Sequence, residues 1–378
     1  MKDLRFFIGA NGYGAGNIGD DAVLLGIIRA LQGFYRDARF SVSSHGQIPL
    51  PYLPPGLDYV DAKKENELHA AVIAADVVCS GGGTMIGDEL SLAFPLGVNH
   101  ALMSTAKKNN KKTCMISIGA NRLRTIPGIE LAQKVINAAD FISVRDSQSK
   151  EVCEGLAKGK SIFSAADPAY SLQAESSSRS REVKRLVSSM GDNIIGVNVV
   201  NESWSDRQDY KQCIAMALEC FCREFDFFPV FFQTEVREGY FYDYKANEET
   251  ASYLNHQAHI LIPDYFEPEE MLDIMTAFDF VLSMRMHGLI FAAVLGIPHT
   301  SIARVDKVNN FMNLFSRQAP GDMGNLSWQA LLADMKENYS GKTLFKKKMK
   351  AVVNRQKKRF AESFYHLDEF LNRSNLKK

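Results

Sequence analysis

The sequence predicts an α/β protein of two Rossmann-like, doubly wound domains facing a cleft. Short apolar runs alternate with segments whose apolar residues recur at helical spacing, the pattern of a parallel sheet covered by helices. The alternation restarts after a polar stretch, Ser176 to Arg181. The glycine loops, and the Arg and His residues singled out below, fall at strand ends, where such sheets bind ligands.

The elements follow in order. Leu4 to Ala10 reads as a buried strand, Asn11 to Gly19 as a glycine loop, and Asp20 to Gln32 as a helix with Val23, Leu24, Ile27, Ile28 and Leu31 on one face. Strands follow at Phe40 to Ser44, Asp76 to Ser80, Lys112 to Gly119, Phe141 to Val144 and Ile162 to Ala165, with a Pro-rich loop from Ile48 to Gly56. Gly81-Gly82-Gly83-Thr84 reads as a strand end where the backbone can approach something closely, or as a tight turn from strand to helix. In the second half, strands are expected at Asn193 to Val200, Phe227 to Gln233, His259 to Ile262, Phe278 to Leu282 and Pro298 to Ile302, with helices at Tyr210 to Glu224 and near Pro268 to Phe278. The expected organisation is a first domain at 1–175, a linker at 176–190, a second domain at 191–325 and a basic helical tail at 326–378.

Composition narrows the function. The 378 residues suit roughly two domains. Lys+Arg and Asp+Glu are 44 each, so no global excess of charge points to nucleic acid. The six cysteines show no CxxC pair and are expected as reduced, mostly buried thiols of a cytoplasmic protein. No apolar stretch is long enough to span a bilayer, and the first residues lack a signal-peptide core. The tail interleaves Lys346, Lys347, Lys348, Lys350, Arg355, Lys357, Lys358 and Arg359 with apolar residues. It reads as a solvated amphipathic helix or as a peripheral contact with an anionic membrane face.

The most informative stretch is Ser283-Met284-Arg285-Met286-His287-Gly288. An apolar strand precedes it, and a small apolar helix ending at Gly296-Ile297-Pro298 follows. A guanidinium and an imidazole thus sit where a helix begins, where free N–H groups and the helix dipole favour an anion. Gly14-Ala15-Gly16-Asn17-Ile18-Gly19 fits a dinucleotide pattern, but the second strand ends without a ribose-binding acid. Asp20 and Asp21 follow it; they suit helix capping, hydrogen bonds to sugar hydroxyls or removal of a hydroxyl proton. Arg145-Asp146 suits an internal ion pair or a second cation in the cleft, and Lys307 is a further anion contact. The remaining histidines show no metal-ligand spacing, so no metal is expected.

These motifs, with Ser80 to Thr84, Ser143-Val144-Arg145-Asp146, Asp167-Pro168-Ala169-Tyr170 and Asp306-Lys307, occur in the order that resembles the polysaccharide pyruvyl transferase family. The likeness runs from about residue 5 to 315. It implies a GT-B-like fold, phosphoenolpyruvate as co-substrate with no other cofactor, and a sugar acceptor in a surface glycan or its lipid-linked precursor. The product would be a cyclic pyruvate ketal, with release of phosphate. The resemblance places the donor on Arg285 and His287, with Arg145 assisting; Gly288 and Lys307 complete the expected donor set. Asn17, Gly19, Gly82, Gly83 and Thr84 form the expected acceptor set, and Asp20 or Asp21 would orient or deprotonate the acceptor. His287 would act as general acid or as phosphate ligand. The alternatives are a nucleotide-sugar glycosyltransferase of the same fold and a non-catalytic sugar- or anion-binding protein.

Overall fold

The computed structural model describes residues 4–46, 50–89, 91–157, 159–201, 210–237, 243–303 and 306–373. The chain divides into two units, one of residues 1–15, 20–171 and 355–378, the other of residues 16–19 and 172–354.

The first unit carries β1 (Arg5–Gly9), β2 (Arg39–Ser44), β3 (Asp58–Asp61), β4 (Val77–Gly81), β5 (Thr84–Ile86), β6 (Lys112–Ala120), β7 (Phe141–Val144) and β8 (Phe163–Ser164). They form one sheet of order β3-β2-β1-β4-β6-β7-β8, with β5 paired to β6, and every pairing is parallel. Helices α1 (Ile18–Phe34), α2 (Glu65–Ala74), α3 (Val98–Lys108), α4 (Ile126–Ala138) and α5 (Ser147–Leu156) connect the strands. All of β4 and nearly all of β6 is buried. That burial explains their mostly apolar character, because a parallel sheet is covered on both faces. Val23, Leu24, Ile27, Ile28 and Leu31 of α1 are fully buried, as their spacing requires.

The second unit repeats the plan. It holds α6 (Ser178–Ser188), β9 (Ile194–Asn198), α7 (Tyr210–Phe225), β10 (Phe228–Phe231), α8 (Asp243–Ser252), β11 (Ile260–Leu261), α9 (Pro268–Met275), β12 (Phe280–Ser283), α10 (Met286–Leu295), β13 (His299–Thr300), α11 (Asp306–Asn313) and α12 (Trp328–Ser340). Its parallel sheet has the order β11-β10-β9-β12-β13. Phe221, Phe231 and Phe280 are fully buried at its core.

The structure departs from the sequence expectation at three places. The glycine turn after β4 leads into a strand rather than a helix: Gly82 and Gly83, at φ 59° and 68°, turn the chain into β5. The left-handed region is open to glycine and strained for other residues. The serine-rich stretch expected as a linker is α6. Ser177 and Ser180 form a reciprocal capping box, and Ser180 Oγ donates to Asp273 of α9 at 2.7 Å.

The expected tail belongs to both units. It comprises α12 and α13 (Lys342–Arg373). Leu331 and Met335 of α12 lie in the second core. From Arg355 onward α13 packs on the first unit, with Phe364 against Phe34 at 5.9 Å, His366 stacked on Phe163 at 4.7 Å, and Phe370 against Phe141 at 6.0 Å between ring centres. Among the described residues no helix is long and apolar enough to cross a membrane.

Candidate active site

In the second sheet the strand order reverses between β9 and β12. Open α/β sheets bind ligands beyond the carboxyl ends of their strands at such a reversal. The last residues of the two strands meet there: Ser283 Oγ donates to Asn198 Oδ1 at 3.1 Å. Ser283 Oγ also accepts from the Arg285 N–H at 3.2 Å, which fixes the turn that launches α10. Arg285 is the N-cap residue of α10, and its own side chain makes no capping hydrogen bond.

The Arg285 guanidinium is held on two sides. Its Nε and Nη2 donate to Asp243 Oδ1 at 3.0 and 2.7 Å, and Nη1 pairs with Glu235 Oε2 at 2.6 Å. Both carboxylates are buried, and the arginine side chain is 12% exposed. Asp243 is itself fixed by the backbone N–H groups of Thr234 and Glu235, the Thr234 hydroxyl and Asn198 Nδ2. Glu235 also accepts from Arg237 Nε at 2.6 Å and from Asn17 Nδ2 at 3.1 Å. Burial pushes the Glu235 carboxyl above its ordinary pKa, against the pull of Arg285 and Arg237. Two guanidinium groups and two carboxylates thus form a rigid ionic cluster at the strand ends.

His287 is half-buried in the first turn of α10, with its Nε2 buried. Its ring lies over Gly19, where any Cβ would collide with the imidazole. Gly19 and Asn17 belong to the second unit, joined to it by the Ile18 N–H to the Thr234 carbonyl at 2.9 Å and the Val236 N–H to the Gly16 carbonyl at 2.8 Å. The structure therefore brings together Asn17, Gly19, Arg285, His287 and Gly288. Lys307 is half-buried in the first turn of α11, in the same unit.

The other expected site residues lie in the first unit, most of them in internal structure. Arg145 is 7% exposed; its guanidinium reaches Asp146 at 3.4 Å, Asp167 at 3.5 Å and Thr84 Oγ1 at 3.2 Å. It therefore forms the internal ion pair, and the hydroxyl of Thr84 is engaged by it. Gly82 packs on Val23 and Gly83 on Asn11. Asp21 is buried and accepts from the Gly14 N–H at 2.8 Å and the Tyr52 hydroxyl at 2.6 Å. Asp20 is half-buried and accepts from Asn11 Nδ2 at 3.2 Å.

Residues 17–306 match the family model for polysaccharide pyruvyl transferase. The chain belongs to the polysaccharide pyruvyl transferase family. All residues of the ionic cluster, together with His287, fall inside the matched span. No curated protein matches the chain in sequence. Solved structures resemble it throughout its length. The UDP-GlcNAc 2-epimerase of Methanocaldococcus jannaschii has a TM-score of 0.64 at 14% identity, covering 89% of this chain and 92% of its own. The S. aureus MnaA–UDP structure has a TM-score of 0.62 at 13% identity, with 98% and 97% covered. A ugt transferase from Siraitia grosvenorii in complex with UDP has a TM-score of 0.59 at 11% identity, with 98% and 99% covered. These likenesses show the fold, GT-B-like with Rossmann-like domains.

Sequence reasoning missed Glu235, Arg237 and Asp243, the ionic partners around Arg285. The available signal was position: Glu235 follows β10, the neighbour of β9, so an acid there stands at the same sheet edge as Arg285.

Proposed function

We propose that this member of the pyruvyl transferase family moves pyruvate from phosphoenolpyruvate to a sugar of a surface glycan or its lipid-linked precursor. The observation that carries the reading is the pairing of a fixed guanidinium, Arg285, with His287 at a helix N-terminus whose N-cap side chain makes no capping bond, inside the span that matches the family. Phosphoenolpyruvate carries a carboxylate and a phosphate. The α10 N-terminus offers N–H groups and a positive dipole to such an anion. Arg285 is the residue type that holds either group in two-point geometry.

The chemistry balances without a redox partner. A proton goes to the methylene carbon, which becomes the methyl group. One sugar hydroxyl oxygen bonds to the central carbon, the carbon–oxygen bond to phosphate breaks, and a second hydroxyl oxygen closes the ring. Of the two hydroxyl protons, one is balanced by the new methyl hydrogen and the other by the departing phosphate. His287 delivers the proton to carbon, and Asn17 and Gly19 form the acceptor side of the same unit.

Incubation with phosphoenolpyruvate and a panel of lipid-linked or nitrophenyl glycosides should yield a ketal adduct by mass and an equal amount of phosphate. His287→Asn should keep phosphoenolpyruvate binding, read by thermal shift, and slow turnover by about 10²–10⁴-fold. An unchanged rate would remove His287 as the acid. Stabilisation by a UDP-sugar with no response to phosphoenolpyruvate would favour the nucleotide-sugar transferase reading instead.

A further inference from the structure

The protein has no net charge, yet the run from Lys342 to Ala361 contains no acidic residue. Its first turns form the part of α13 that belongs to the second unit. One side of these turns is fixed. Phe345, Met349, Val352 and Val353 are buried, and the Phe345 ring lies 5.2 Å from His299 and 5.8 Å from Phe315. The opposite side carries Lys346, Lys347, Lys348 and Lys350, all exposed. Among the described residues none of the four pairs with an acid, whereas Lys336 nearby pairs with Glu224 at 2.5 Å. In the midst of these lysines Leu344 is 75% exposed.

We propose that this face of α13 docks on an anionic lipid surface. Unpaired lysines on a rigid, amphipathic helix are attracted by the negative potential of such a membrane, and each adds to the attraction within a Debye length. Leu344 gives the face an apolar side chain to insert at the headgroup boundary, as interfacial helices do. A nucleic-acid partner fits less well, because no aromatic ring stands among the lysines to stack on bases. The inference is independent of the transfer reaction, since lipid binding needs no turnover.

The test is flotation of the full chain with vesicles of phosphatidylcholine alone or mixed with phosphatidylglycerol. Binding is expected only to the phosphatidylglycerol vesicles, and should weaken sharply as salt rises. Reversing three charges together (K346E, K347E, K348E) should weaken it on the order of a hundredfold. Leu344→Ala should weaken it by several-fold. These positions are exposed, so the variants should melt like the parent, which circular dichroism checks. Equal binding to neutral vesicles, an unaffected triple variant, or capture of a single-stranded oligonucleotide in place of vesicles would overturn the proposal.

Discussion

Two arginines occupy like positions in the two units, and their surroundings differ in an instructive way. Arg145 follows β7 after Ser143-Val144, and Arg285 follows β12 after Ser283-Met284. A helix begins directly after each, and each guanidinium meets two carboxylates. In the first unit the next residue, Asp146, is the N-cap of α5, and its own carboxylate accepts from the Ser149 N–H at 2.7 Å. That helix terminus is satisfied internally. In the second unit the arginine itself takes the N-cap position and its side chain makes no capping hydrogen bond, being turned to Asp243 and Glu235 instead. The same local plan therefore gives a structural corner in one unit and an anion-friendly corner in the other. One carboxylate at the cap makes the difference.

The strongest test of that contrast is Arg285→Ala. Turnover of phosphoenolpyruvate should fall on the order of a thousandfold, the scale of losing a preorganised charge partner. Some stability should go with it, because Glu235 and Asp243 would keep their burial and lose their main cation. Phosphate release at the parent rate would break the assignment. Arg145→Ala is the complementary test. It should lower stability by about 3 kcal/mol in denaturant titration, as breaking a buried ion pair does, while the folded enzyme keeps its turnover. A rate loss matching that of Arg285→Ala would erase the contrast.

A further effect concerns His299 of the second unit. His299 is fully buried among Phe311, Phe315 and Phe345, and its Nδ1–H donates to the Ile297 carbonyl. Burial depresses its pKa from 6.5 to about 4. The unfolded chain therefore takes up a proton at a pH where the folded chain does not. This contribution to stability is complete above the unfolded value and is lost as pH falls from 6.5 toward about 4, by at most about 3 kcal/mol. Melting temperature against pH should show that decline, and His299→Phe should flatten it. An identical acid slope in the variant would contradict the burial argument.

The fold was legible because burial on both faces writes itself locally. The β4, β6 and β12 runs are mostly apolar and end in glycine, alanine and serine. β3 and β5, with four and three residues, are too short and too mixed to stand out. The α6 segment hid behind its serines, which the eye assigns to linkers. Ser177 and Ser180 are there because caps need hydroxyls, and α6 draws its hold from Asp273, far along the chain. For the candidate site, the strand-end position of Arg285 and His287 could be read directly. Its ionic frame could not, because pairing with Asp243 spans 42 residues and depends on how β9, β10 and β12 line up. Arg145 illustrates the reverse: position left an internal ion pair and a second cation equally open, and the fold pairs it with Asp146 and Asp167.

The course of α13 has a consequence for how the molecule is made. Residues that finish the aromatic surface of the first unit, Phe364, His366 and Phe370, follow the second unit in the sequence. Domains usually fold as they leave the ribosome, the N-terminal one first. Here the sheet of the first unit must wait, with Phe34, Phe141 and Phe163 uncovered, until the second unit has been synthesised as well.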